Sequence, residues 1–312
     1  MKNNIICITP IDHIKGLKDL IKTKGTLIYK PHISKISLKK ILFENKKINF
    51  IFCNPNKQGF VIDKDILKFS GIKLINTAST GTNHINLKDC NDLGIQVMSL
   101  KNDKKLIYKL PSTSELAFCL MISLLKKLVP SHDSVKNKNN WNYEQFIGQE
   151  LSSLTIGIIG FGRLGKFMAK FCHAFGMNIL IYDKYKPSKK YRNVSKSYLL
   201  KHSDVISLHV HLDNNTKNLI NINLLKKCLR SPIIINTSRG EVVNELDVVN
   251  SLKNNLISGY GTDVITNELD NIKKSHIIKN ISKLNIIVTP HVGGMTFQGQ
   301  KRAFVWAINK FS

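Results

Sequence analysis

At 312 residues the chain is long enough for two domains of ordinary size, and 42% hydrophobic with 8% aromatic residues give each a core, which excludes disorder on a large scale. The formal net charge of +26 attracts polyanions whatever the fold. A nucleic-acid groove is nevertheless not expected: lysines are strewn over the whole length, arginine occurs only at Arg163, Arg192, Arg230, Arg239 and Arg302, and no cluster of guanidinium forks or aromatic platforms accompanies them.

In chain order, the apolar run 5–8 is too short for the apolar region of a signal peptide and reads as a first strand. Further β-rich runs predict strands at 26–29, 50–53, 74–77 and 96–98, with helical patterns between them such as 15–23 and 63–69. This alternation is how a parallel sheet with crossover helices reads, so the first third forms a small α/β layer of its own. A lysine-rich stretch, 101–109, then precedes Pro111-Ser112-Thr113-Ser114-Glu115, a helix start with a Ser or Thr cap and an early acid. The helix it opens, 115–129, is apolar on nearly all sides, as in helices buried between domains or against another subunit. Its longest apolar run, 116–125, falls well short of a membrane span. A polar segment, 131–150, follows and carries aromatic residues between Trp141 and Phe146.

The second α/β run has strands predicted at 155–159, 178–182, 205–208, 233–236, 259–262 and 286–289, an order that suits a doubly wound dinucleotide-binding domain. Its first strand runs straight into Gly160-Phe161-Gly162-Arg163-Leu164-Gly165. Gly160 makes the tight turn, Gly162 lets the backbone approach a pyrophosphate, and Gly165 lets the following helix, 163–175, pack on the strand. The N-terminal N–H groups of that helix, from Arg163 and Leu164 onward, point at the phosphates. Asp183 closes the next strand at the spacing where an acid accepts from both ribose hydroxyls, which favours NAD over its 2′-phosphorylated form. Lys184 and Lys186 beside it soften that preference. The six cysteines lie far apart with no Cys-x-x-Cys pair, so neither a metal site nor a disulfide framework is expected, and reduced thiols point to a cytoplasmic protein.

Four segments together resemble the D-isomer-specific 2-hydroxyacid dehydrogenase family, and within it the D-3-phosphoglycerate dehydrogenases: Thr80-Gly81-Thr82-Asn83, Gly157 to Gly165, Ile235-Asn236-Thr237-Ser238-Arg239-Gly240, and Thr289-Pro290-His291-Val292-Gly293-Gly294. The resemblance covers almost the whole chain. It implies two Rossmann-like or flavodoxin-like parallel-sheet α/β domains with a cleft between them: a substrate domain of residues 1–104 completed by 292–312, and an NAD-binding domain of residues 105–291. It further implies a catalytic triad of Arg239, Glu268 and His291.

The chemistry agrees. A planar guanidinium binds a carboxylate through two parallel hydrogen bonds and stays charged, an imidazole exchanges protons near neutrality, and a carboxylate behind it fixes its tautomer. Leu269 stands where the family usually has Pro after the acid, and Asp263 and Asp270 are further acids nearby. By the same matching, Thr237 and Ser238 line the nicotinamide side, Asp263 lies near the nicotinamide amide and Thr216 sits by the cofactor. Ser79, Thr80 and Gly81, with Arg239, meet the substrate carboxylate.

Ser153 and His211 replace residues common in the family, departures that affect loop shape, and no effector-binding module is expected after Ser312. The expected reaction is hydride transfer between NAD(H) and a small D-2-hydroxy or 2-oxo acid, with 3-phosphoglycerate first. Glyoxylate, hydroxypyruvate or a sugar acid is the alternative, and Lys57 is a candidate for a substrate phosphate. A non-catalytic NAD(H)-sensing protein is the reading of another class. The formate dehydrogenases of the same fold resemble a version with Gln in place of the acid. A homodimer is expected through the apolar helix and the aromatic segment, with no nucleic-acid or membrane partner.

Overall fold

The computed structural model describes residues 3–55, 59–268 and 271–311. Two compact units emerge, Met1–Leu110 with Met295–Ser312, and Pro111–Gly294. The first contains β1 (Asn4–Cys7), α1 (Leu17–Lys24), β2 (Thr26–Tyr29), α2 (Lys35–Glu44), β3 (Ile48–Cys53), α3 (Lys64–Leu67), β4 (Leu74–Thr77), α4 (Leu87–Asp92), β5 (Gln96–Ser99) and α5 (Lys104–Ile107). The second contains α6 (Ser112–Leu125), α7 (Leu128–Lys138), β6 (Thr155–Ile159), α8 (Arg163–Ala174), β7 (Asn178–Tyr182), β8 (Arg192–Asn193), α9 (Lys196–His202), β9 (Val205–Leu208), α10 (Ile222–Leu225), β10 (Ile233–Asn236), α11 (Glu245–Lys253), β11 (Gly259–Thr262), α12 (His276–Asn280) and β12 (Ile286–Val288). The last helix, α13 (Phe297–Ile308), belongs to the first unit again.

The first unit is a five-stranded parallel sheet in the order β2-β1-β3-β4-β5. Its strands are apolar on both faces because helices cover both. One face packs on α1 and α13 through Ile5, Phe52, Phe304 and Phe311, and the other on α2 and α3 through Ile6, Ile51, Leu38 and Leu42. Asn76, wholly buried in β4, donates from Nδ2 to the Ala307 carbonyl at 2.6 Å and ties α13 to the sheet. Leu106, Ile107 and Leu110 pack on the same core, so this unit extends past residue 104 to Leu110. Several helix starts follow local cap chemistry: Ser34, Asp63 and Asn86 each accept from the backbone N–H three residues on.

The second unit is a seven-stranded parallel sheet in the order β12-β11-β10-β9-β6-β7-β8. The order reverses at β6, where the connection to β7 runs one way and the strands from β9 onward run the other. In open sheets of this kind, ligands bind outside the carboxyl ends of the strands at that reversal. Leu120, Leu124, Ile156, Ile158, Met168 and Ile235 fill one face and Leu199, Leu208, Leu225, Ile234, Val248 and Tyr260 the other. Each such fully buried aliphatic side chain contributes about 1.5–3 kcal/mol relative to exposure.

Three elements differ from the sequence expectation. The helix expected over 115–129 begins directly after Pro111 and ends at Leu125, because Lys127 adopts a left-handed conformation (φ 49°) that no helix continues through. A second helix, α7, then occupies part of the segment expected to be irregular. A seventh strand, β8, adds two exposed residues at the sheet edge, too short and too polar to give a sequence signal. Among the described residues, no helix is long and apolar enough to cross a membrane.

Candidate active site

The glycine turn follows β6 as the spacing predicts. Gly160 has φ +94°, and a Cβ there would lie 2.6 Å from the His209 carbonyl oxygen. At Gly165 a Cβ would lie 2.1 Å from the Gly160 carbonyl oxygen, so α8 closes on the turn only without a side chain. Gly162 is different: beyond its chain neighbours, a Cβ would meet no atom of the described residues within 4 Å. It is the cap residue of α8, brings no side chain to the first-turn N–H groups, and therefore presents open space to the positive end of the helix, with Arg163 and Leu164 opening the first turn. A pyrophosphate fits there.

Asp183, just past β7, accepts from Phe161 N at 2.6 Å through Oδ2 and from Tyr185 N and Lys186 N at 2.7 and 2.8 Å through Oδ1. The acid thus pins the glycine turn to the end of the neighbouring strand, and Oδ2, with a single donor, retains lone-pair capacity for a ribose hydroxyl. His209 lies at the other side of the turn. Burial lowers its pKa to about 4, so it is neutral near pH 7; its Nε2 pairs with Ser207 Oγ at 2.9 Å, and its Nδ1 is buried without a partner among the described residues. Thr216 stands on the loop after β9, where its hydroxyl closes a turn with Asp213 and donates to the His211 carbonyl at 2.5 Å.

The remaining site residues come from the ends of three adjacent strands. After β10, the wholly buried Asn236 organises the turn: its Oδ1 accepts from Ser238 N (3.0 Å) and Ser238 Oγ (2.7 Å), and its Nδ2 donates to the Arg239 carbonyl (2.9 Å). Thr237 Oγ1 is buried without a partner among the described residues, an orphaned hydroxyl that suits a polar group of a bound nucleotide. Arg239 is half-buried and donates from Nη1 to the Ser238 carbonyl at 2.7 Å. Gly240 follows, and a Cβ there would fall 2.1 Å from the carbonyl carbon of Ile265, so the loops after β10 and β11 touch backbone to backbone.

After β11, Asp263 is almost wholly buried and accepts from Thr289 Oγ1 (2.5 Å), Val292 N (2.8 Å) and Gly293 N (2.7 Å). The carboxylate expected beside the nicotinamide amide therefore spends these bonds on the loop that carries His291. That loop needs them, because His291 sits in the left-handed region (φ 55°), which costs about 1–2 kcal/mol for a residue with a Cβ. His291 N adds a bond to the Asp263 carbonyl at 3.0 Å.

Glu268 Oε1 lies 2.8 Å from His291 Nδ1. A carboxylate only accepts, so Nδ1 carries the proton and Nε2 is the nitrogen that exchanges. This bond with Glu268 raises the His291 pKa above the ordinary imidazole value. Partial burial opposes the shift, the charges of Glu268 and Asp263 add to it, and the Arg239 cation subtracts. Arg239, Glu268 and His291 are thus gathered in one unit, Glu268 rather than Asp263 stands behind the imidazole, and Leu269 and Asp270 lie outside the described residues.

Ser79, Thr80 and Gly81 belong to the first unit, on the loop after β4. There Ser79 Oγ donates to the Gly81 carbonyl at 2.5 Å, and the buried His84 holds Thr77 Oγ1 through Nε2 at 2.9 Å. Lys57 lies outside the described residues. Among the described residues, no group of His, Cys, Asp and Glu is arranged to hold a metal ion.

Sequence reasoning missed Asn236 as a scaffold, and it missed Glu245. This acid, in the first turn of α11, is 6% exposed and accepts from Thr266 N (2.8 Å), Ser275 Oγ (2.7 Å) and His276 N (2.9 Å). Behind the Asn244 cap it reads as an ordinary helix-start acid, and nothing local foretells its partners.

Residues 118–293 match the family model described as D-isomer specific 2-hydroxyacid dehydrogenase, NAD binding domain. The chain is 37% identical over 227 residues to a glycerate dehydrogenase of Methylorubrum extorquens, a match covering 71% of this chain and 69% of that protein. It is 30% identical over 307 residues to a hydroxypyruvate reductase of Thermotoga maritima, covering 96% and 94%. Among solved structures, the D-lactate dehydrogenase of Aquifex aeolicus complexed with NAD and lactic acid superposes with a TM-score of 0.81 at 28% identity, over 98% of this chain and 93% of that one.

Proposed function

The chain belongs to the D-isomer-specific 2-hydroxyacid dehydrogenase family, an NAD-dependent oxidoreductase by that membership, and on this premise we propose that it interconverts hydroxypyruvate and D-glycerate through Arg239, Glu268 and His291. The observation that carries the catalytic assignment is the 2.8 Å bond from His291 Nδ1 to Glu268, formed at the ends of strands that also present Arg239. Bound NAD(H) supplies or takes up the hydride at C2. The Arg239 guanidinium holds the substrate carboxylate. His291 Nε2 donates a proton to the carbonyl oxygen in reduction and accepts it from the hydroxyl in oxidation, while Glu268 keeps the ring in the required tautomer and steadies its charged form.

For the first unit, the proposal assigns backbone N–H groups of Ser79, Thr80 and Gly81 to a substrate carboxylate. In the second, it assigns Gly160, Gly162, Arg163, Leu164, Gly165, Asp183, Thr216, Thr237 and Ser238 to NAD, and Asp263 to the support of His291. The orphaned Thr237 hydroxyl and the open space at Gly162 support that set.

The substrate rests on the activities named for the two relatives, one a glycerate dehydrogenase and the other a hydroxypyruvate reductase, names that give the reduced and the oxidised member of one 2-hydroxy/2-oxo acid pair. NADH consumption with hydroxypyruvate, glyoxylate, pyruvate and 3-phosphohydroxypyruvate tests it. The highest kcat/KM is expected for hydroxypyruvate, and a higher value for the phosphorylated acid would restore 3-phosphoglycerate as the physiological partner. A homodimer and a cytoplasmic location complete the proposal, the latter supported by six free cysteines, five of them buried.

A further inference from the structure

Glu268 sits on a loop between β11 and α12 that has little regular structure, yet its carboxylate must meet an imidazole to within a few tenths of an ångström. Thr266 stands near the beginning of this loop, and Ser275 and His276 stand at its end. All three direct a donor at one side chain, Glu245: Oε1 takes the Thr266 N–H at 2.8 Å, and Oε2 takes the Ser275 hydroxyl at 2.7 Å and the His276 N–H at 2.9 Å. Among the described residues no ion pair involves Glu245. A buried carboxylate without a cation is costly unless hydrogen bonds satisfy it, and here three come from the two ends of the Glu268 loop. The segment that leads from β10 to Glu245 contains Arg239 and presses Gly240 against Ile265, so Arg239 and the start of the Glu268 loop are held in register by backbone contact.

We propose that Glu245 is a positioning residue for the Glu268–His291 pair, its buried carboxylate clamping both ends of the loop that carries Glu268. The inference deepens the proposed catalytic reading and rests on the role given there to Glu268. Among the described residues, His291 feels the charges of Glu268, Asp263 and Arg239, while Tyr260 feels the charge of Glu245 and His276 donates its backbone N–H to it. The Glu245 carboxylate bonds Thr266, Ser275 and His276, so its influence on His291 runs through the placement of Glu268.

The test is a titration of His291 by NMR on 15N-histidine-labelled full-length protein without cofactor, for wild type, Glu268→Gln, Glu245→Asp and Glu245→Gln. Glu245→Asp keeps the charge and withdraws the reach, so a shift in that variant reports geometry. Expected is a fall in the His291 pKa by about half a unit or more in Glu245→Asp, in the same direction as in Glu268→Gln, with NADH affinity within about twofold of wild type. A lowered melting temperature with an unchanged His291 pKa would mean that Glu245 only supports the fold, and the inference fails. If Glu268→Gln lowers the pKa and Glu245→Asp does not, this inference alone falls. If Glu268→Gln leaves it unchanged, the proposed pair falls and takes the inference with it. Should neither Glu245 variant fold, Ser275→Ala removes one of the three donors and decides the matter: a smaller fall supports the clamp, and no fall overturns it.

Discussion

Arg239 donates to a backbone carbonyl and, among the described residues, makes no ion pair, which suits a fork kept for an external carboxylate. A lysine at this position keeps the charge and loses the paired geometry. Arg239→Lys should therefore lower kcat/KM for the 2-oxo acid by about 10- to 100-fold, the worth of a hydrogen bond to a charged group, with NADH affinity near wild type. Steady-state kinetics beside NADH fluorescence titration separate the two; unchanged kinetics would remove the clamp.

His291 makes an opposite pair of predictions. Its pKa is raised, chiefly by Glu268. Reduction needs the protonated ring, so kcat/KM for the oxo acid should be level at low pH and fall as pH rises through that raised value. Oxidation needs the neutral ring and should rise through the same pH. Full pH profiles in both directions check this, and two limbs at unrelated pH values would contradict a single shared group. Both residues were legible in the sequence because each stands in a short motif of distinctive neighbours. Asn236, Glu245 and the hydrogen-bond partners of Asp263 were not, since their bonds reach groups from 2 to 31 residues away, and a residue type does not state where its hydrogen bonds go.

The strand–glycine–helix element shows how three residues of one type divide their work. Ala at Gly165 would put a carbon 2.1 Å from a backbone oxygen, a clash that only movement of α8 relieves. Overpacking of this kind costs about 1–3 kcal/mol, so Gly165→Ala should lower the melting temperature by several degrees and weaken NADH binding with it. Ala at Gly162 meets, beyond its chain neighbours, no atom of the described residues within 4 Å. Gly162→Ala should leave the melting temperature nearly unchanged and still raise the NADH Kd by about tenfold or more, since the new carbon occupies the approach of the pyrophosphate. Calorimetry and NADH titration on the two variants test the division; a Gly162→Ala protein that binds NADH normally would place the phosphates elsewhere.

The same scale shows what the pattern of residues encoded. Buried parallel strands are continuous apolar runs, so eleven of the twelve strands among the described residues were found from sequence, whereas β8 has two exposed polar residues and no such run. The break between α6 and α7 escaped because it depends on one lysine in a left-handed conformation, which composition does not announce.

For the whole molecule, charge and exposed apolar surface pull in opposite directions. Trp141, Tyr143 and Ile147 are 86%, 79% and 71% exposed, a large apolar display for a protein in water, and they support the proposed homodimer. Each chain also carries +26, so two copies repel, and the repulsion is screened over about 8 Å at physiological ionic strength. Dimerisation should thus strengthen as salt is raised from low to moderate concentration, because screening removes the repulsion and leaves apolar burial intact. Binding to nucleic acid through the same charge would weaken steeply over that range, through lost counterion release. Sedimentation of the protein alone and with a DNA duplex, across a salt series, separates the two uses of the charge. Replacing two of the exposed apolar residues, as in Trp141→Glu with Ile147→Lys, forfeits about 3–6 kcal/mol of burial, which raises the dimer Kd by on the order of a hundredfold or more. A double variant that sediments as wild type would move the interface away from this segment.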